Sequence, residues 1–160
     1  MLDRLSDRFA LLSRGRRDAR SHQGTLRAAI EWSWQLLTPA QRSALTQCAV
    51  FSGGFSMDAA ESVLDLGPHS EDVLDVLQDL VDKSLLKVQD GPGVQRFRLY
   101  QNIPAFAEQQ DGAKAVVERY AAYFVSRGER LAREFRRTGA MSAYRGVLGD
   151  LDDLLCVARC

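Results

Sequence analysis

The chain has 160 residues, 46% apolar and 26% charged, and its 21 basic and 21 acidic residues leave a formal net charge of zero. That balance suits one packed domain with a helical extension, and it gives no bulk pull towards nucleic acid or an anionic membrane. Cys48, Cys156 and Cys160 are odd in number and form no CxxC pair, which disfavours structural zinc and a disulfide framework. No apolar run approaches the roughly 18–20 residues of a membrane span. No signal peptide opens the chain, so a cytoplasmic protein without membrane contact is expected.

Charge is spread unevenly. Residues 1–27 carry seven Arg against three Asp, and residues 28–93 three basic against ten acidic residues. Residues 111–137 carry seven basic against four acidic. An acidic middle between basic flanks suits docking within the chain or onto a partner, although a solvated face gives the same pattern.

Residues 1–13 place Leu2, Leu5, Phe9 and Leu12 at helical spacing, which reads as the end of an upstream helix. Residues 14–24 are polar, basic and glycine-containing, hence a connector; with the preceding segment they make a first region, 1–23. Thr25 is placed to cap a helix to about Leu37, with Leu26, Ala29, Ile30, Trp32, Ser33, Leu36 and Leu37 on a wide buried face. Thr38-Pro39-Ala40-Gln41 opens the next helix with a capping box and a proline in the first turn. Leu45, Cys48 and Ala49 continue its inner face. Phe51 and Phe55 flank a glycine turn as anchors on either side, and Ser56 caps a short helix through about Leu64 that Gly67-Pro68 stops. Ser70 caps a helix over 71–83, with Val73, Leu74, Val76, Leu77, Leu80 and Val81 inward.

The period then changes from helical to alternating. Residues 85–89 and 95–99 read as two strands around the turn Asp90-Gly91-Pro92-Gly93. A short helix near Ile103, Pro104 and Phe106 follows. A long amphipathic helix runs from about Ala113 to Arg137, with Val116, Val117, Tyr120, Tyr123, Phe124 and Leu131 on one face. Thr138-Gly139 ends it, and a last helix covers 141–158. The expected class is mainly α. A winged helix over 24–110, a helical bundle with one β-hairpin wing, is followed over 111–160 by antiparallel helices like the first unit of a helical-repeat array. One unit is too few for a stable solenoid, and both ends fall within helices, so the chain reads as cut from a longer protein.

The chemistry is sparse. Trp32 and Trp34 point about 200° apart on a helix and form no single stacking platform. His69 lies far from His22 and no second ligand has helical or hairpin spacing, so no metal is expected. The acids read as solvated and the serines and threonines as helix caps, and no Ser–His or Cys–His pair is evident; no catalytic residue is expected. The helix over 71–83 occupies the recognition position of a winged helix, yet sets Glu71, Asp72, Asp75, Asp79 and Asp82 against Lys83 alone. Asp72, Asp75, Asp79 and Asp82 recur at steps of three and four and line one exposed stripe. Affinity in a DNA groove comes largely from cations, so groove reading by this helix is disfavoured. The connector arginines Arg14, Arg16, Arg17 and Arg20, and those of the long helix, lack interleaved aromatics; docking to an acidic surface such as this stripe is the more economical role.

The run HQGTLRAAIEWSWQLLTPAQRSALTQCAVFSGGFSMDAAESVL, from His22 to Leu64, closely resembles the winged-helix segment of bacterial STAND signalling ATPases, large regulators with an NB-ARC-type nucleotide module. DVLDVLQDLVDKSLLKV and RFRLYQNIPAFA are similar to the same family's fourth helix, wing and post-wing helix, and GDLDDLLCVARC to the motif that opens its tetratricopeptide-like region. The resemblance implies a non-catalytic part that relays nucleotide or inducer state through protein contacts. Its partners would be an upstream nucleotide-binding module and downstream helical repeats. ATP or ADP and magnesium would belong to that upstream module, because no G-x-x-x-x-G-K-[ST] loop occurs here. By the same resemblance His22 could contact nucleotide or its module, and Tyr100 and Gln101 stand where relatives read the phosphate, without that motif's charge or imidazole. The alternative, from a different class, is a DNA-binding winged-helix transcription factor.

Overall fold

The computed structural model describes residues 27–67, 72–91, 94–107 and 113–159. The expected upstream helix, the Thr25 cap, the basic connector, Ser70, Glu71 and Cys160 lie outside them. The chain divides into two compact units, Met1–Leu37 and Thr38–Cys160. In the first, helix α1 covers residues 27–35. Its apolar face is narrower than the sequence suggests: Ala29 is exposed, and so are Trp32 and Leu36, at 65% and 58%. Trp34 is half-buried.

The second unit begins with α2 (Pro39–Cys48). Thr38 accepts the Gln41 N–H and the Gln41 side chain accepts the Thr38 N–H, so the expected capping box is formed, with Pro39 in the first turn. Ala44, Leu45 and Cys48 are buried from it. Helix α3 (Met57–Val63) is capped by Ser56 and buries Ala59, Ala60 and Val63. Helix α4 (Val73–Asp82) starts two residues later than its spacing suggests, because Asp72, not Ser70, caps it by accepting the Leu74 N–H at 2.8 Å. Val76, Leu77 and Leu80 are its buried stripe. Leu74 is exposed and Val73 and Val81 are only half-buried, so the inward set is half the size expected.

After α4, Ser84 takes a left-handed turn at φ 57°, and the wing follows as β1 (Leu86–Asp90) and β2 (Gln95–Leu99). They pair antiparallel, Leu86 opposite Leu99 and Val88 opposite Phe97. A third extended point joins them: Phe55 and Phe97 exchange backbone hydrogen bonds at 2.9 and 2.8 Å. Gly54 makes this approach possible. It sits at φ 88°, and a Cβ there would fall 2.8 Å from the Phe97 carbonyl oxygen. Phe51 and Phe55 stack on each other at 4.3 Å instead of anchoring opposite sides, and Phe97 stacks on Phe55.

Helix α5 (Ile103–Ala107) buries Ile103 and Ala107. The long helix α6 (Ala113–Thr138) then packs across α2 and α3 and against α7 (Met141–Gly149) and α8 (Leu151–Ala158). Val116, Tyr120, Phe124 and Leu131 are buried, whereas Val117 is exposed. Gly139 ends α6 in the left-handed region, its N–H donating to Phe135. The expected last helix is divided at Asp150. Bare backbone at Gly146 lets α7 approach Leu131. Fully buried Phe55, Phe124, Leu45, Leu77, Leu80 and Leu86 form the centre of this unit, each contributing about 1.5–3 kcal/mol by leaving water.

Candidate functional site

In this order of elements α3 and α4 form the helix-turn-helix, and α4 holds the recognition position before the wing. Its outer surface is acidic. Asp72, Asp75 and Asp82 are exposed. Asp82 accepts from Gln78 at 3.0 Å, and Asp72 is engaged as the helix cap. Asp79 departs from the expected stripe: it is half-buried, accepts from Gln41 Nε2 of α2 at 2.6 Å, and stands 3.9 Å from Lys83 Nζ. Asp72, Asp75 and Asp82 thus form the outer stripe, while Asp79 ties α4 to α2. The exposed Leu74 lies to one side of that stripe, about 80–100° around the helix from Asp75 and Asp82.

The wing carries the opposite charge. Lys87 and Arg98 are direct cross-strand neighbours, and Arg98 is exposed. Lys87 Nζ lies 5.7 Å from the centre of the Tyr100 ring, a cation–π contact. Tyr100 is therefore held by Lys87, with its carbonyl accepting the Ile103 N–H at 2.9 Å. Gln101 is exposed and lines a shallow cleft of about 180 Å³ with Cys48, Phe51, Phe55, Arg98 and Pro104. The structure does not gather the sequence-predicted residues into one site. Tyr100 and Gln101 sit at the wing, Asp72, Asp75 and Asp82 on α4, and His22, Arg16, Arg17 and Arg20 lie outside the described residues.

The most organised chemistry was not expected from sequence. Asp150 is 3% exposed and accepts from Arg96 Nη1 at 2.8 Å and from Arg127 Nε at 3.0 Å. Arg96 comes from the wing, Arg127 from α6, and Asp150 from the junction of α7 and α8. Arg96 also donates to the Gly54 carbonyl at 2.6 Å. Beside this pair Asp153 is fully buried, and its Oδ1 accepts the Ser52 N–H at 2.7 Å and the Tyr120 hydroxyl at 2.9 Å. Burial pushes the Asp153 carboxyl above its ordinary range, and the Ser52 and Tyr120 hydrogen bonds and the Arg96 charge offset that only in part. Burial and then the Asp153 charge push the Tyr120 phenol up in turn. The expectation that the acids are solvated therefore fails at Asp150 and Asp153. The signal was available: at helical spacing both fall on the face of Ala143 and Val157, not on the outer face.

A second staple joins α6 to the helix-turn-helix. Arg119 Nε donates to the Val63 carbonyl at 2.7 Å and Nη2 to Gln47 Oε1 at 2.8 Å, while Gln47 Nε2 donates to the Asp65 carbonyl at 2.7 Å. These bonds satisfy the end of α3. Cys48 is fully buried, which pushes its thiol up and leaves it a packing residue, as its apolar neighbours imply. Among the described residues no cluster of His, Cys, Asp and Glu could hold a metal ion, and no helix is long and apolar enough to cross a membrane.

Residues 37–112 match the model of the winged helix-turn-helix domain family. A Mycobacterium tuberculosis protein named "Putative HTH-type transcriptional regulator Rv0890c" is 40% identical over 124 residues, which cover 76% of this chain and 14% of that protein. A Mycobacterium bovis protein similarly named, with the suffix Mb0914c, matches at the same identity and coverage. A further M. tuberculosis protein, "Uncharacterized protein Rv0894", is 34% identical over 125 residues, 72% of this chain and 31% of its own length. The chain thus spans about a seventh to a third of the length of these relatives. No solved structure matches it. The order α2, Phe55, α3, α4, β1, β2 and the match over 37–112 agree: the chain contains a winged helix-turn-helix domain and is homologous to mycobacterial proteins named as HTH-type transcriptional regulators.

Proposed function

We propose that this chain is a non-catalytic segment of a transcription regulator and that its winged helix faces DNA through the wing. The observation that carries this reading is the complete winged-helix order, with Phe55 paired to β2, in a chain 40% identical to proteins named as HTH-type transcriptional regulators. The same likeness favours the DNA-binding alternative over a segment of a STAND-type ATPase regulator. Electrostatics choose the contacting element. Phosphates repel Asp72, Asp75 and Asp82, whereas Lys87 and Arg98 present adjacent cations on the hairpin. A mobility shift on duplex DNA at low salt tests the proposal. Binding should fall on Lys87→Glu or Arg98→Glu and rise on Asp75→Lys; no shift at any protein concentration up to about 100 µM, the weak end of typical nonspecific affinities at physiological salt, would sink it.

One observation favours a second reading. The exposed Leu74 at the edge of the α4 carboxylate stripe suits a basic protein surface with an apolar margin. In that reading the winged helix relays a state through protein contacts, and a nucleotide module holding ATP or ADP with magnesium, followed by helical repeats, would supply the partners. Hydrogen exchange on the longer protein, with and without ATP, separates the two: nucleotide-dependent protection of α4 supports the relay, and unchanged α4 protection counts against it.

A further inference from the structure

Helices α7 and α8 carry an outer face that no described residue of the second unit covers. Met141, Tyr144, Leu148, Leu151 and Leu155 are all 41–60% exposed, and their spacing alternates three and four residues throughout. That is a two-in-seven apolar seam, the pattern by which helices pair side by side. The turn at Asp150 does not break its phase: the Asp150 N–H donates to the Gly146 carbonyl at 3.1 Å, and the Asp150 carbonyl accepts the Leu154 N–H at 2.9 Å. The opposite face, Ala143, Asp150 and Asp153, is buried against the rest of the unit, so the seam points away from it.

Charge identifies the occupant. Along one margin of the seam stand Arg145 and Asp152, both exposed. Neither has an ion-pair partner among the described residues. The Asp152 carboxylate lies beside Gly53, which has no side chain to cover it. We infer that this seam pairs with the same seam of a second copy of the chain, antiparallel, about a twofold axis near Leu148. That axis brings Arg145 of each copy opposite Asp152 of the other. It sets Leu148 at the centre and Met141 towards the Leu155 end of the second copy. A parallel pairing would set this margin against the other margin of the second copy, Ala140, Val147 and Leu154, and leave Arg145 and Asp152 without opposite charges, so the margin selects the antiparallel arrangement. The interface is self-complementary and closes as a dimer.

Sedimentation equilibrium of the 160-residue chain tests this. The expected result is a dimer of twice the chain mass that dissociates on dilution. Leu148→Glu, at an exposed position, should leave a monomer with an unchanged far-UV spectrum. Arg145→Asp alone should weaken the dimer at least tenfold, and so should Asp152→Arg alone. Mixing these two variants should restore association, because each then offers the charges the other lacks. A monomer at all concentrations overturns the proposal. So does a dimer indifferent to Leu148→Glu, or charge variants that change nothing, alone or mixed.

Discussion

Replacing Asp150 by alanine removes one carboxylate and leaves a buried guanidinium, Arg96, and a partly buried one, Arg127, without their shared acceptor. The Arg96 and Arg127 side chains are 10% and 20% exposed, and Asp150 itself 3%, so water replaces the lost partner poorly at Arg96 and only in part at Arg127. Breaking a buried ion pair by deleting one member costs about 3–5 kcal/mol. A unit of this size has about 6–15 kcal/mol of stability in total, so the variant should lose about a fifth of it or more. At about 3–5 °C per kcal/mol, Tm should fall by roughly 10–25 °C. Urea unfolding followed by far-UV circular dichroism measures the loss, with the slope against urea checked for constancy. Asp150→Asn should lose most of the same energy, because the shape is kept and the charge is not. Replacing all three residues together, Arg96→Met, Asp150→Leu and Arg127→Met, should recover most of it, because no buried charge is then left unpaired. A loss below about 1 kcal/mol for Asp150→Ala is what an exposed pair would give, and it would refute the buried network.

Three further outcomes follow from the same geometry. Gly54→Ala should cost about 2–4 kcal/mol, from the left-handed backbone and the clash with the Phe97 carbonyl, and should loosen hydrogen-exchange protection at Phe55 and Phe97 before it affects α6. Thr38→Ala removes one half of the capping box and should cost about 1 kcal/mol in thermal unfolding. Asp153 gives a pH signature. Its carboxyl is raised in the folded state, so the folded chain holds the proton more tightly than the unfolded chain does. Stability therefore falls as pH rises from the ordinary carboxylate value, about 4, through the raised value, and is flat above it. Asp153→Asn should flatten that fall while keeping an acceptor for Ser52 and Tyr120; a slope unchanged in the variant would show that another group causes it.

The winged helix was legible because its signals are local. Thr38, Pro39 and Gln41 mark a helix start within four residues, and alternating residues around a Gly–Pro turn mark a hairpin. What sequence reading missed is long-range. The pairing of Phe55 with Phe97 spans 42 positions, and the contact of Ser52 with Asp153 spans 101. Side-chain period identifies a buried face but not what lies opposite it. Asp150 and Asp153 occupy a core face by period, and their acidic character argued for solvent. Arg96, Arg127 and Tyr120, all remote in sequence, supply the compensation that reverses that inference. On α4 the error ran the other way. Leu74 is apolar and by spacing reads as inward, but the late start at Val73 and the narrow stripe of Val76, Leu77 and Leu80 leave it outside.

The strength of any DNA contact by this domain can be bounded from its cations. Among the described residues between 38 and 107 the basic residues are Arg42, Lys83, Lys87, Arg96 and Arg98. Arg96 is consumed by Asp150 and Gly54, and Arg42 is half-buried on α2. Lys83, Lys87 and Arg98 remain, so about three phosphates could be neutralised. Each contributes about −0.9 to the slope of log affinity against log salt, which gives a slope near −3, shallow beside the −5 to −9 of a domain making six to ten contacts. Three contacts, opposed by the carboxylates of α4, give weak binding that vanishes near physiological salt. A measured slope near −3 for this chain would place the contact on the wing. A slope steeper than about −5 would require arginines beyond the winged helix, from the connector around Arg16, Arg17 and Arg20 or from the exposed end of α6 at Arg130, Arg133, Arg136 and Arg137. Charge reversal at Arg133 and Arg136 then separates those two sources, since it flattens the slope only if α6 lies on the phosphates.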